Sequence, residues 1–304
     1  MSSIATSLRS TLLKTFSGND DGTPPWAPAI VHGEDAGYFG PQSAAWVVHG
    51  GMPTMVAGIR ALLLQTLHPG AMAGVHDWSR YREDPLGRLS GTIQWLVTVT
   101  FADTTLAQRE STRVGRFHNR VVGSYLDAED IERPYAAGDP ELLSWVHVVF
   151  TDSFLRCHET WGSPIPGGSD RYVREWATAG ELVGVQHPPR TEAELREQFT
   201  AFDPHLKSDD RVAEAVRFIR NPPLSRRLKP AYRVLFAGAV ATIPDAYRQL
   251  LGLRRPNRAA VWATGRILVL VGILLGTTSP AERAARARVA RLGAAEGNEP
   301  IGVA

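Results

Sequence analysis

TTLAQRESTRVGRFHNRVVGSY, residues 104–125, holds the histidine on which the reading of this chain turns. Asp103 and Thr104 carry helix-start chemistry, and Thr105 with Gln108 has the spacing of a capping box. At about 100° per residue, Arg109, Glu110, Arg113, Arg116 and Arg120 share one side. Val114, Gly115, Val121, Val122 and Tyr125 share the other, at i−4, i−3, i+3, i+4 and i+7 from His118. The pattern predicts one helix over residues 104–127, with His118 turned into an apolar interior. Two readings of that histidine follow. It is either a core residue hydrogen-bonded to a backbone carbonyl, or a single axial ligand to a flat apolar cofactor, with Gly115 one turn away leaving room.

The flanking sequence is helical in the same way. Upstream, an apolar run over residues 54–67 enters after Pro53 and stops at His68-Pro69-Gly70, where His68 is placed to satisfy the last helix carbonyls. Residues 70–84 read as a long connection carrying His76, Asp77, Trp78 and Tyr81. Asp84-Pro85 then starts a helix to Phe101 on which Arg88 and Thr92 stand one turn apart, with Leu96 and Val99 on the inward side. Asp139-Pro140 repeats the start signal for a helix to Trp161. Further helices are predicted over 170–183, 192–202, 209–220, 228–250 (bent or broken at Pro244), 261–275 and 281–294. No convincing run of period-2 alternation appears. The fold class is therefore all-α, a single multi-helix bundle. Its expected division is an N-terminal arm over 1–40 with a short amphipathic helix at 2–16, one domain over 41–294, and a flexible tail over 295–304.

Composition narrows the chemistry. With 304 residues, 43% hydrophobic and 21% charged, the chain is ample for a large core. A net charge of +2 gives no reason to expect nucleic acid. Lysine occurs only at Lys14, Lys207 and Lys229, so the cations are almost all arginine. Cys157 is the only cysteine, which excludes internal disulfides and multi-cysteine zinc sites. The first residues lack a signal-peptide core. The run at 261–276 is interrupted by Arg266 and falls short of a full span, so it reads as a buried helix. A soluble, cytoplasmic protein without an integral membrane segment is the expectation.

Dinucleotide, phosphate-loop, zincin and nucleophile-elbow motifs are missing. His147 and His158 share a helix face but lie about 16 Å apart, too far to hold one ion. No Glu-x-x-His pair supports a carboxylate di-iron bundle. Trp145 and Trp161 read as core, and His32, His49, His187 and His205 carry no assignment.

The blocks ALLLQTLHPGAMAGV, DPLGRLSGT, RFHNRVVGSY and YAAGDPELLSWVHVVF occur in an order that resembles the latex-clearing-protein and mpaB-type oxygenase family, over about residues 50–185. That resemblance implies an all-α domain with a buried haem b pocket and oxidative cleavage of an apolar, isoprenoid-like molecule with O₂. It also implies that His118 is the iron ligand, and that Arg88 and Thr92 form the distal pair. The chain departs from the rubber oxygenases at Gly91, where they carry lysine, and offers only Glu83, Asp84 and Asp77 near the place of their distal glutamate. Val114, Gly115, Val121 and Val122 are the expected porphyrin wall, and arginines such as Arg88 the expected propionate partners. Two other classes stay open: a non-catalytic haem or tetrapyrrole carrier or sensor, and a metal-free helical interaction protein. Substrate, redox partner and oligomeric state are not encoded in these motifs.

Overall fold

The computed structural model describes residues 24, 26–78 and 85–296, the side chains of 85–89, 295 and 296 excepted. The helix expected at residues 2–16, together with Glu83 and Asp84, lies outside the described residues. Thirteen α-helices appear among the described residues, as the all-α reading requires, together with one antiparallel hairpin that it did not anticipate. In chain order the helices are α1 (Ala44–Gly50), α2 (Thr54–Gln65), α3 (Pro69–Trp78), α4 (Pro85–Phe101) and α5 (Thr104–His118). The hairpin strands β1 (Val122–Leu126) and β2 (Glu132–Ala136) follow. Then come α6 (Pro140–Trp161), α7 (Gly168–Leu182), α8 (Glu192–Ala201), α9 (Asp210–Arg220), α10 (Lys229–Thr242), α11 (Asp245–Leu250), α12 (Arg258–Leu275) and α13 (Pro280–Glu296).

The core is laid around α2, which packs on α6, α9 and α10. A helix apolar on nearly every side needs such a surround, and Val56, Ala57, Ala61, Leu63 and Leu64 are all buried. Arg60 is the polar exception. Its guanidinium, 1% exposed, pairs with Asp152 at 2.7 Å and donates to Ser153 Oγ at 2.8 Å, both on α6. A buried charge is tolerable only when paired and hydrogen-bonded in this way.

Helix starts follow the sequence in part. Thr191 and Asp209 each accept the expected backbone N–H at an N-cap, from Glu194 and Val212. The helix expected from 261 instead begins at Arg258, capped by Asn257, and Asp139 makes no side-chain cap. The predicted helix around Pro244 is broken there, into α10 and α11.

Four expectations are corrected. The helix predicted over 104–127 stops at His118, the chain turns through Asn119 and Arg120, and Val122–Leu126 enters β1. Two consecutive β-branched valines followed by Gly-Ser are poor helix formers. The Asp127 carboxylate then accepts the N–H groups of Glu129 and Ile131, which closes the hairpin turn. Residues 69–78, expected in a loop, are the helix α3. His68 serves that helix rather than the end of α2, because its Nδ1 accepts the Gly70 N–H at 3.2 Å. Finally α12 is not a buried helix. Thr264, Leu268, Val271 and Gly272 face inward, while Trp262, Val269, Leu270 and Ile273 stand exposed. Apart from Arg266, which lies on the uncovered side, the run 261–275 is almost wholly apolar, so no broad polar stripe announced which side would stay uncovered.

Candidate functional site

The last turn of α5 brings His118 to the surface of the bundle from within. At the start of this helix Asp103 Oδ1 accepts the Leu106 N–H at 3.0 Å, so Asp103, and not Thr105, is the cap. Asp35 holds the same end by accepting the Thr104 N–H at 2.9 Å. Along its length α5 packs on α4, with Trp95 Nε1 donating to Ser111 Oγ at 3.1 Å and Gln94 to Glu110 at 3.2 Å. Glu110 is therefore buried on the α4 side, where Arg113 grips both its oxygens, rather than on a solvated charged face.

His118 itself is half-buried on this last turn. Its Nδ1 is buried without a hydrogen-bond partner, and burial lowers the ring's pKa, which favours the neutral imidazole. Among the described residues, a Cβ placed on Gly115, one turn earlier, would meet nothing within 4 Å, and the same holds for Gly91 on α4. Among those residues, open space thus lies one turn before the histidine. Phe117, with its ring 6.3 Å from that of His118, is 55% exposed. Val122 is 51% and Trp78 47% exposed, and Trp78 Nε1 donates to the Val122 carbonyl at 2.9 Å, fastening α3 to β1. Large apolar side chains are costly to leave in water, and an exposed group of them signals a surface meant to be covered. Phe117 carried no assignment in the sequence reading, and Trp78 was read only as part of the 70–84 connection.

The other predicted residues divide. Val114 and Gly115 stay on α5 and are half-buried. Because the helix ends, Val121 and Val122 do not extend their face. Val121 is buried in a small cluster with Ala73, Tyr135 and Leu142, and Tyr125 packs towards His68 with ring centroids 6.4 Å apart. On α4 Thr92 is half-buried, and Leu96 and Val99 are buried as the inward side requires. Arg88 lies on α4 with its side chain outside the described residues. Asp77, the described acid among the distal candidates, is engaged by His76 at 3.0 Å and by Tyr135 Oη at 3.3 Å.

His118 is not alone in having a buried ring nitrogen without a hydrogen bond; His49, His68, His147 and His158 share that property, although His68 Nε2 lies 3.7 Å from Glu141 Oε1. Their surroundings differ from its own. His49 is enclosed by Phe154, Tyr172 and Trp176, the last with centroids 3.9 Å away. His147 lies against Gly180 so closely that a Cβ there would sit 2.8 Å from the ring. His158 donates from Nε2 to the Ser163 carbonyl at 2.9 Å and packs on Gly51 and Gly162. His68 is ringed by Tyr125, Trp145, Phe202 and His205. Among these five, His118 combines an orphaned nitrogen with room beside it. No group of three or more His, Cys, Asp or Glu side chains suited to hold a bare metal ion exists among the described residues.

No curated protein and no solved structure matches the chain significantly. A family model described as "ER-bound oxygenase mpaB/B'/Rubber oxygenase, catalytic domain" matches residues 46–291, from α1 to the last turns of α13. With most of its length so matched, the chain belongs to the mpaB and rubber oxygenase family and carries that family's oxygenase catalytic domain.

Proposed function

We propose that this oxygenase domain binds haem b through His118 and uses O₂ to oxidise an apolar small molecule. The observation that carries the reading is the buried, unpartnered Nδ1 of His118 beside the open space at Gly115. A buried ring nitrogen without a partner is a costly feature unless something else satisfies it. A macrocycle that brings four donors of its own needs one more from the protein, which suits a lone histidine.

The residues fit such a group in kind. The neutral His118 ring has one nitrogen free to ligate and the other to donate. Val114 and the bare backbone at Gly115 offer a low apolar surface at its side. Phe117, Trp78 and Val122 supply the apolar cover that a largely hydrocarbon ring would take up. When bound, haem b would supply the iron redox chemistry that activates dioxygen. Arg88 would hold a propionate or stabilise negative charge that develops on dioxygen. It cannot act as a base, because guanidinium stays protonated and only donates. Thr92 would orient dioxygen or a water through its hydroxyl. Once covered, these apolar side chains would exclude water and favour a hydrophobic substrate.

The test compares wild-type and His118→Ala proteins by absorption spectroscopy after haem is supplied. Loss of the haem spectrum in the variant, with its helical circular dichroism intact, is expected. Equal haem retention would remove His118 from the site. O₂ uptake by the reduced, haem-loaded wild type on addition of isoprenoids separates an oxygenase from a carrier.

A further inference from the structure

The bare face of α12 goes beyond the oxygenase reading. Trp262, Val269, Leu270 and Ile273 are 69%, 59%, 50% and 75% exposed. Their spacing of i, i+7, i+8 and i+11 puts them on one stripe of the helix. Arg266 lies on the same stripe, its guanidinium 5.9 Å above the Trp262 ring. The opposite side is tied down, with Thr264 Oγ1 donating to the Val234 carbonyl of α10 and Trp161 Nε1 to the Val261 carbonyl. By length and composition α12 qualifies as a membrane span. A helix fastened along one side to the bundle can only offer the other, so it would lie along a membrane rather than cross it.

Charge decides what covers this face. Residues 246–281 contain no Asp or Glu and five arginines, at 248, 254, 255, 258 and 266. Arg248 is buried, and the other four are exposed at the entrance to α12 and on its stripe. Arg255 reaches the nearest acid before this segment, Asp245, only at 3.9 Å. A second copy of the chain would set these four arginines near their own counterparts across a two-fold axis, with Asp245 beside Arg255 too little acid to answer them. An anionic lipid surface answers them directly. Its acyl region takes the aliphatic side chains, its headgroup level suits the tryptophan ring, and its phosphates suit guanidinium groups. We propose that the exposed stripe of α12, with Arg254, Arg255, Arg258 and Arg266, docks this protein in the plane of an anionic membrane.

The experiment is co-sedimentation of the full chain with vesicles of phosphatidylcholine alone, or of an equimolar mixture with phosphatidylglycerol. The wild type is expected to pellet with the mixed vesicles, less so as added salt screens the charges. Trp262→Ser combined with Ile273→Ser should lower that affinity at least about tenfold while leaving circular dichroism and the urea midpoint unchanged, because both side chains are solvent-facing. Arg254→Gln, Arg255→Gln and Arg258→Gln should each weaken binding to mixed vesicles by about fivefold. Three results would overturn the proposal: a wild type that pellets with neither vesicle, a double serine variant that pellets like wild type, or a dimer that the double serine variant converts to monomer without any change in vesicle binding.

Discussion

Two histidines are kept uncharged inside the core, and they set how this protein answers to acid. Burial pushes His49 down to about 3, helped by the neighbouring His158, and pushes His147 down to about 4. Unfolded histidine takes up a proton near pH 6.5, whereas these two resist it until much lower pH. The unfolded state therefore binds more protons as pH falls, and native stability drains away between about pH 6.5 and about pH 4. By about pH 5 each group should have cost roughly 2 kcal/mol. Urea unfolding at neutral and mildly acidic pH measures this directly. His147→Gln should flatten the pH dependence by about one such share; an unchanged slope would mean that His147 is not held neutral. At this scale the sequence was legible in part. Periodicity turned His118 inward from the middle of a helix running to 127, whereas it stands half-buried on that helix's last turn with one ring nitrogen buried. The room at Gly115, one turn before His118, was readable from the same spacing, whereas the close packing around His49 and His147 was not, because it comes from residues on other helices.

The element that carries His118 depends on its first turn. Asp103 is 8% exposed and caps α5 from the end of α4, with Asp35 behind it on the Thr104 N–H. Asp103→Ala should lower stability by about 1 kcal/mol, and Asp103→Asn should keep most of it, since the amide oxygen still accepts. Thr105→Ala should change little, as the exposed Thr105 is not the cap. Chemical denaturation of the three variants checks the order, and a Thr105 effect larger than that of Asp103 would reverse the assignment. The helix starts at Thr191 and Asp209 were legible because such residues before a helix have a specific hydrogen-bonding role. The Asn257 cap was not foreseen, and the spacing of Thr105 with Gln108 suggested a capping box where Asp103 is the cap. The end of α5 was not legible, because Val121 and Val122 sit at positions that suit either a helix face or a strand. The turn residues Asp127 to Asp130, the last at φ 62°, and the second strand decide between them. The length of an apolar helix was likewise readable in α12, but not its exposure, which depends on what α10 covers.

At the scale of the whole molecule, one arginine joins segments far apart in the chain. Arg288 on α13 is fully buried, and its guanidinium donates to the carbonyls of Ile30 at 2.5 Å, Asp35 at 3.0 Å, Ala36 at 3.4 Å and Phe101 at 2.8 Å. Arg291 adds a bond to the Gly33 carbonyl at 2.8 Å. Together they clamp the segment before α1, the end of α4 and the last helix into one unit. Composition gave no hint of this, because arginines in a sequence so rich in them read as solvated surface until the fold buries one. Removing the guanidinium leaves several carbonyls without donors in a water-poor interior, so Arg288→Met should cost roughly 3 kcal/mol in urea unfolding. Arg288→Lys should restore little of it. An ammonium is a point donor that cannot span carbonyls spread around a planar fork. The loss should also be localised: amide exchange should quicken in residues 27–37 and at the end of α4, ahead of α2 and α6. Since α4 carries Thr92 and abuts α5, the same variant should loosen the helix pair around His118. Arg288→Met protein as stable as wild type, or faster exchange spread evenly over α2 and α6, would show that this arginine merely fills space.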